Sequence, residues 1–209
     1  MQTDLLENLW GRVTATVDGL DEEGFTAATR AAGWTVRDLL FHLLLDAQRA
    51  LVALATPTDT AADVDAVTYW APFRPSEGDG GAAHAAFVRA AAAAYASGAG
   101  LVEQWRTTSA AAVRAARAAD PAGRVETQRY VIAVPDLVST LVVEATVHLL
   151  DLTLEVPGAP PPAAALRHTR GVLEARYDGP LPASWDDTEA VLRGTGRLPA
   201  DDPRLPLLG

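Results

Sequence analysis

The two most apolar segments of this sequence both contain ionisable residues. Residues 39–55 read LLFHLLLDAQRALVALA, and residues 142–152 read VVEATVHLLDL. The ionisable residues within them are His42, Asp46, Arg49, Glu144, His148 and Asp151. A transmembrane helix needs roughly 20 residues with few or no charges. The segments therefore predict helices that are buried inside a globular protein.

Helical periodicity and capping residues predict five helices. In the first, leucine and valine recur at helical spacing and Gly19 provides a stop. The second opens with Thr35, which forms a carboxylate variant of the capping box with Asp38. The third contains ASGAG at residues 96–100, which can break or kink it. The predicted helices cover about residues 3–19, 35–55, 84–119, 136–155 and 163–177.

The connection between the second and third helices, residues 56–83, lacks helical periodicity. Short loops join antiparallel neighbours, whereas a long crossover allows consecutive helices to run parallel. We therefore predict an all-α four-helix bundle over residues 1–178, with the long crossover between helices 2 and 3. Residues 179–209 are predicted to be a C-terminal tail packed on or near the bundle. Residues 124–135 are ambiguous and fit either an extended segment or a short hairpin.

One pair of residues points to metal chemistry. Glu144 and His148 are four residues apart, so on a helix their side chains lie one turn apart on the same face. They can present a carboxylate oxygen and an imidazole nitrogen to a single ion. A catalytic site usually has three protein ligands and an open position. His42, surrounded by leucines on a helix expected to face the interior, is the natural third ligand.

Each of these residues also has a structural explanation. A histidine on an apolar helix is more often a hydrogen-bonded core residue than a ligand. A Glu/His pair at this spacing is common on exposed helix faces. Glu144, however, is flanked by leucine, valine and alanine, and a buried unpaired carboxylate is costly unless a metal or another cation relieves it. From the spacing alone, a metal site and a metal-free core are equally good interpretations.

Two aspartates are weaker candidates. Asp46 lies one turn after the first histidine, and Asp151 lies three residues after the second. Either can orient an imidazole through its second nitrogen or act as an alternative ligand, but an exposed or capping carboxylate is an equally good interpretation. The remaining histidines, His84 and His168, are predicted to lie at the surface.

Composition restricts the partners. The formal net charge of −10 argues against non-specific binding to nucleic acid or to an anionic membrane. There is no cysteine, so a disulfide, a thiolate ligand and a cysteine nucleophile are excluded, and thiol chemistry needs an external thiol. The N-terminal sequence MQTDLLENLW has no basic region followed by an apolar one, so we expect a cytoplasmic protein without a signal peptide.

The sequence resembles the N-terminal, metal-binding domain of the mycothiol-dependent maleylpyruvate isomerases, part of the DinB-like superfamily. The resemblance extends over most of residues 3–200. It depends on GWTVRDLLFHLLLD, which contains His42, on EATVHLLDL, which contains Glu144 and His148, and on the final segment WDDTEAVLRGTGRLP. It implies an up-down-down-up bundle and an ion, most simply zinc, held by these three residues. Nickel, iron and manganese accept similar ligands.

The resemblance also implies an activity. In characterised relatives the metal activates the thiol of mycothiol, which adds to a conjugated double bond and is expelled after rotation, while other members transfer a thiol to a substrate. The family's isomerases carry a further C-terminal domain, from which no residue is transferred to this sequence. Arg74, Arg193 and Arg197 are candidates for binding an anionic substrate, although solvent-facing side chains are the expected interpretation.

Three functional hypotheses follow. The first is a mycothiol-type thiol transferase or isomerase that acts on a small electrophile. The second is a metal-binding bundle without turnover that serves as a binding or scaffold protein. The third is a metal-free helical interaction module. The sequence leaves the substrate, the native metal and the oligomeric state, monomer or dimer, open.

Overall fold

The computed structural model describes residues 2–72 and 80–208. Within these residues the chain is mostly helical, with a small three-stranded sheet. The α-helices are α1 (Gln2–Val17), α2 (Val36–Leu54), α3 (Gly80–Ala92), α4 (Gly98–Ala118), α5 (Val134–Leu152), α6 (Ala163–Tyr177) and α7 (Asp187–Gly194). The strands are β1 (Pro57–Thr58), β2 (Arg124–Thr127) and β3 (Tyr130–Ala133).

Helix α2 begins at the predicted capping box. The backbone N–H of Asp38 donates to Oγ1 of Thr35 at 3.3 Å, and the backbone N–H of Thr35 donates to Oδ2 of Asp38 at 2.9 Å. These reciprocal bonds satisfy donors that the first turn of a helix leaves without intrahelical partners. They fix the position at which α2 begins, and so the direction of the side chains one and two turns later.

The predicted third helix is divided into α3 and α4. The chain leaves the helical path after Ala92, and Ser97 caps α4 by accepting a hydrogen bond from the backbone N–H of Gly100 at 3.2 Å. The backbone of Gly98 lies against Phe25 so closely that a Cβ at this position would overlap the aromatic ring. Helix α4 therefore begins at a position where the packing needs a residue without a side chain.

The ambiguous segment forms a β-hairpin, one of the two structures predicted for it, so the chain is mostly helical with a small sheet rather than all-α. Strands β2 and β3 pair antiparallel, and β1 pairs antiparallel with β2 to give the order β1-β2-β3. The two turn residues, Gln128 and Arg129, have φ values of 45° and 75°, as a tight hairpin turn requires. Val125 and Ile132 face each other in the ladder and are both buried. Such short alternation is too local a signal to be read reliably.

Helix α5 lies at the centre of the packing. It contacts α1, α2 and α6, while α2 and α1 also pack against α4. Because α5 has neighbours on several sides, it is buried along almost its whole length, including His148 and Asp151. None of the helices in the described ranges is both long enough and apolar enough to cross a membrane.

Candidate metal site

Helices α2 and α5 bring His42, Glu144 and His148 together. Each residue offers one ligand atom, and these atoms all lie within 4.8 Å of one another. Nε2 of His148 lies 3.0 Å from Oε2 of Glu144, and Nε2 of His42 lies 3.9 Å from the same oxygen. The side chains are 7 to 22 % exposed. Two nitrogens and one oxygen therefore face a common point from two helices.

Asp151 contacts the other nitrogen of His148. Its Oδ2 lies 3.0 Å from Nδ1 of His148, and its side chain is completely buried. A hydrogen bond from Nδ1 to a carboxylate leaves Nε2 without a proton when the imidazole is neutral, so Nε2 can act as a ligand. Asp151 thus occupies the position of an orienting residue.

Asp151 is in turn held by Arg197. Nε of Arg197 donates to Oδ1 of Asp151 at 3.2 Å, and Nη2 donates to Oδ2 at 3.0 Å. The interpretation of Arg197 as a solvent-facing side chain is wrong, since only 13 % of the side chain is exposed. The sequence gives no local signal for this pair, because the two residues are 46 positions apart. The general clue is that a carboxylate within an apolar helix needs a cationic partner.

Asp46 lies on the side of His42 that faces the other ligands. Its Oδ2 is 3.9 Å from Nε2 of His42, whereas an orienting residue would contact Nδ1. Oδ1 of Asp46 accepts a hydrogen bond from Arg49 at 3.3 Å, and Arg49 also donates to the hydroxyl of Tyr69 at 2.9 Å. Oδ2 is buried without a hydrogen-bond partner among the described residues. A free carboxylate oxygen therefore lies beside the three candidate ligands.

Sequence reasoning missed the partner of His42. Nε2 of His84, on α3, lies 3.3 Å from Nδ1 of His42. His84 is exposed, as predicted, but it is placed to fix the imidazole of His42. The ring of Trp34 lies 5.0 Å from that of His42, centroid to centroid, and covers part of the site. No local pattern connects His84 to the site, because the crossover separates it from α2.

The other candidates lie elsewhere. His168 is half-buried rather than at the surface, and its Nε2 lies 2.8 Å from the hydroxyl oxygen of Ser139. Arg193 donates to Glu189 at 2.9 Å and stacks on the ring of Trp185. Arg74 lies outside the described residues.

The protonation of the site reflects its burial and its opposite charges. Burial raises the pKa of Glu144, but hydrogen bonds and charges from His148 and His42 outweigh this and hold the pKa well below its usual range. Burial lowers the pKa of His148, but Asp151 and Glu144 outweigh that effect and raise the pKa to about 9. Burial and the charge of Glu144 raise the pKa of Asp46. Without an ion, protonated His148 thus supplies a positive charge between the carboxylates of Glu144 and Asp151.

The donor set fits a divalent ion. Two imidazole nitrogens and a carboxylate oxygen are a common set for catalytic zinc, in which a fourth position stays open. The unpartnered Oδ2 of Asp46 supports the fit, because a buried polar atom without a partner is rare unless an ion or water satisfies it. The residues are therefore suited to bind a metal whose charge replaces that of the proton on His148.

Comparison with known protein families identifies the family of the chain. Residues 6–153 match the family described as "Mycothiol maleylpyruvate isomerase N-terminal domain". The matched range contains all three candidate ligands together with Asp46 and Asp151. Neither a curated protein nor a solved structure matches the chain.

Proposed function

Since the chain belongs to the mycothiol maleylpyruvate isomerase N-terminal domain family, within the DinB-like superfamily, we propose that it is a metal-dependent thiol transferase or isomerase. It acts on a small electrophile and takes its thiol from mycothiol or a similar low-molecular-weight thiol. The observation that carries this proposal is the convergence of His42, Glu144 and His148 within 4.8 Å.

The proposed architecture is an up-down-down-up four-helix bundle of α1, α2, α4 and α5. It is supported by the packing of α1 and of α2 against both α4 and α5. In this arrangement residues 1–178 form the bundle and α6, and residues 179–209 pack against them. In the up-down-down-up order α2 and α4 run parallel, which the long crossover between them allows.

We propose that His42, Glu144 and His148 are the ligands of a divalent ion, with zinc the favoured metal. Such an ion lowers the pKa of a bound thiol, so that the thiolate is available at neutral pH. The chain has no cysteine, so the thiol has to arrive with the cosubstrate. The ligands come from two packed helices, which limits the reorganisation needed on binding.

In this proposal the neighbouring residues orient the ligands and accept the proton of the thiol. Asp151 accepts a hydrogen bond from Nδ1 of His148 and directs Nε2 towards the other ligands. His84 does the same for Nδ1 of His42. The free Oδ2 of Asp46 is placed to accept the proton of an incoming thiol. Trp34 lies against the imidazole of His42 and restricts the access of water.

The experiment compares the metal-loaded protein with a His42→Ala, His148→Ala double variant. Both are incubated with mycothiol and a panel of electrophiles, including cis-configured conjugated acids, and thiol binding is measured by calorimetry. We expect thiol consumption or isomerisation above the buffer rate for the wild-type chain only. Absence of both turnover and thiol binding in a protein that holds its metal would overturn the proposal.

A second candidate function is a metal-binding bundle that serves as a binding or scaffold protein. It is favoured by one observation, the position of Asp46. If the carboxylate of Asp46 were the fourth ligand, it would close the site as in structural zinc centres. Asp46→Asn separates the two. If Asp46 accepts a proton, the variant keeps its metal and loses about 10²-fold or more in rate. If Asp46 is a fourth ligand, the variant binds the metal more weakly, and X-ray absorption of the wild-type protein shows four protein ligands and no open position.

A further inference from the structure

The partners of Asp151 come from two distant parts of the chain. Its side chain is completely buried and contacts His148 on one side and Arg197 on the other. The guanidinium of Arg197 donates to Oδ1 at 3.2 Å and to Oδ2 at 3.0 Å. Two such bonds from one guanidinium fix the plane of a carboxylate as well as its position. Asp151 is thereby prevented from rotating away from His148.

The end of α7 fixes the position of Arg197. The backbone N–H of Arg197 donates to the carbonyl of Leu192 at 2.7 Å, and that of Gly196 donates to the carbonyl of Arg193 at 3.2 Å. Gly196 has a φ of 73°. This combination is the Schellman motif, in which a left-handed residue ends the helix and satisfies its last carbonyls. Arg197 therefore follows a sharply defined turn.

The remaining bonds of this pair make its geometry rigid. Nη1 of Arg197 donates to the carbonyl of Thr195 at 2.8 Å, so the guanidinium is tied to its own turn. The backbone carbonyl of Asp151 accepts a hydrogen bond from the N–H of Arg30 at 3.3 Å. The guanidinium of Arg197 and the backbone of Asp151 are thus each held by a further contact, and the carboxylate between them is held by Arg197 and His148.

We propose that Arg197 is a positioning residue of the metal site. It holds the carboxylate of Asp151 against Nδ1 of His148 and so keeps Nε2 directed at the ion. This inference rests on the proposed metal site. Arg197 lies beyond residues 6–153, the range that matches the family, so the segment after α6 contributes to a site whose ligands all come from the bundle.

The first test measures metal affinity by competition titration in Arg197→Ala and Arg197→Lys. We expect Arg197→Ala to lower the affinity about 10- to 100-fold, as loss of a partner of a ligand typically does. Arg197→Lys keeps the charge but not the paired hydrogen bonds, and is expected to give a smaller loss. The Co²⁺-substituted variants should also show altered d–d absorption, since the coordination geometry changes.

The matched control is Arg193→Ala. Arg193 belongs to the same turn but does not contact Asp151. Its substitution by alanine removes contacts with Glu189 and Trp185 instead. We expect wild-type metal affinity and Co²⁺ absorption in this variant, even if its unfolding temperature falls. Equal affinities in the wild-type chain, Arg197→Ala and Arg197→Lys would overturn the inference, as would an equal loss in the Arg193 control.

A second test does not depend on the metal. In the metal-free protein, the Nδ1 proton of His148 is hydrogen bonded to a buried carboxylate and should give a slowly exchanging, downfield imidazole resonance. We expect this resonance in the wild-type chain and in Arg193→Ala, and its loss in Arg197→Ala. Persistence of the resonance in Arg197→Ala contradicts the positioning role. Failure of the wild-type chain to bind metal instead contradicts the proposed function, and the resonance still decides the role of Arg197.

Discussion

At the scale of single residues, polar groups within apolar helices locate the site. The spacing of Glu144 and His148 could be read from the sequence, because helical geometry places residues four apart on one face. The hydrogen bond from Nδ1 of His148 to Asp151 joins residues three apart within α5, whereas the approach of His42 follows from the packing of α2 against α5. The contacts made by His84 and Arg197 could not be predicted. No local pattern shows which distant residue contacts Nδ1 of His42 or the carboxylate oxygens of Asp151.

The raised pKa of His148 predicts a pH dependence. A metal ion must displace the proton from this residue, whose pKa lies at about 9 in the metal-free fold. We expect the apparent affinity for Zn²⁺ to rise by up to about tenfold per pH unit below about pH 9 and to level off above it. Competition titrations across this range test the slope, and a pH-independent affinity would contradict the assignment of His148 as a ligand.

The same proton affects the stability of the metal-free protein. The pKa of His148 is raised in the folded state from an ordinary value of 6.5. Its contribution to stability is therefore complete below pH 6.5 and is lost as the pH rises through about 9. Denaturant titrations of the metal-free chain should show this fall, and a His148→Gln variant should show a smaller one.

Substitution of His84 tests whether its contact with Nδ1 of His42 supports metal binding. We expect His84→Ala to weaken metal binding about 10-fold, because the imidazole of His42 loses the group that fixes its orientation. His168→Ala is the matched control, since His168 contacts Ser139 and not the candidate ligands. Isothermal titration of both variants makes the comparison, and equal affinities would show that His84 does not support the site.

At the scale of elements, the helices were predictable from periodicity and the interruptions only in part. The capping box of α2 was correct, because it depends on two residues that are close in sequence. Helix α6 covers the predicted residues 163–177. The segment ASGAG marked the break between α3 and α4, whereas the close approach of Phe25 to Gly98 comes from a distant part of the sequence. The hairpin depends on pairing between strands too short to be distinguished from coil by pattern alone.

Alanine substitutions at two glycines are expected to change the free energy of unfolding in opposite directions. Gly196→Ala should destabilise the chain by about 1–2 kcal/mol, because its φ of 73° is unfavourable for a side chain and a Cβ would lie 3.2 Å from Pro206. Gly171→Ala, in the exposed face of α6 with open space around it, should stabilise the chain by about 0.5–1 kcal/mol. Denaturant unfolding measures both. Equal effects of the two substitutions would contradict the turn geometry that places Arg197.

At the scale of the whole molecule, we expect metal binding and folding to be coupled. The ligands come from α2 and α5, and their supporting residues come from α3 and the segment after α7. An ion at this site therefore stabilises contacts between elements that are far apart in the sequence. The general position of the candidate site in a buried helix pair could be predicted from the sequence, whereas the contact of Arg197 with Asp151 could be found only in the folded structure.

This coupling predicts a thermal shift. An ion that binds only the folded state stabilises it by about 2.7 kcal/mol at a free concentration of 100 times Kd, which for a chain of this size corresponds to about 5–10 °C. We expect this increase in Tm on adding Zn²⁺ to the metal-free wild-type chain. The His42→Ala, His148→Ala double variant should show no increase, and a similar shift in both proteins would mean that the ion binds elsewhere.

The most direct test of the metal site is elemental analysis of the chain purified without added metal or chelator. The account predicts one divalent ion per chain in the wild-type protein and none in the His42→Ala, His148→Ala double variant. A wild-type chain without a stoichiometric ion, or a double variant that retains one, would contradict it.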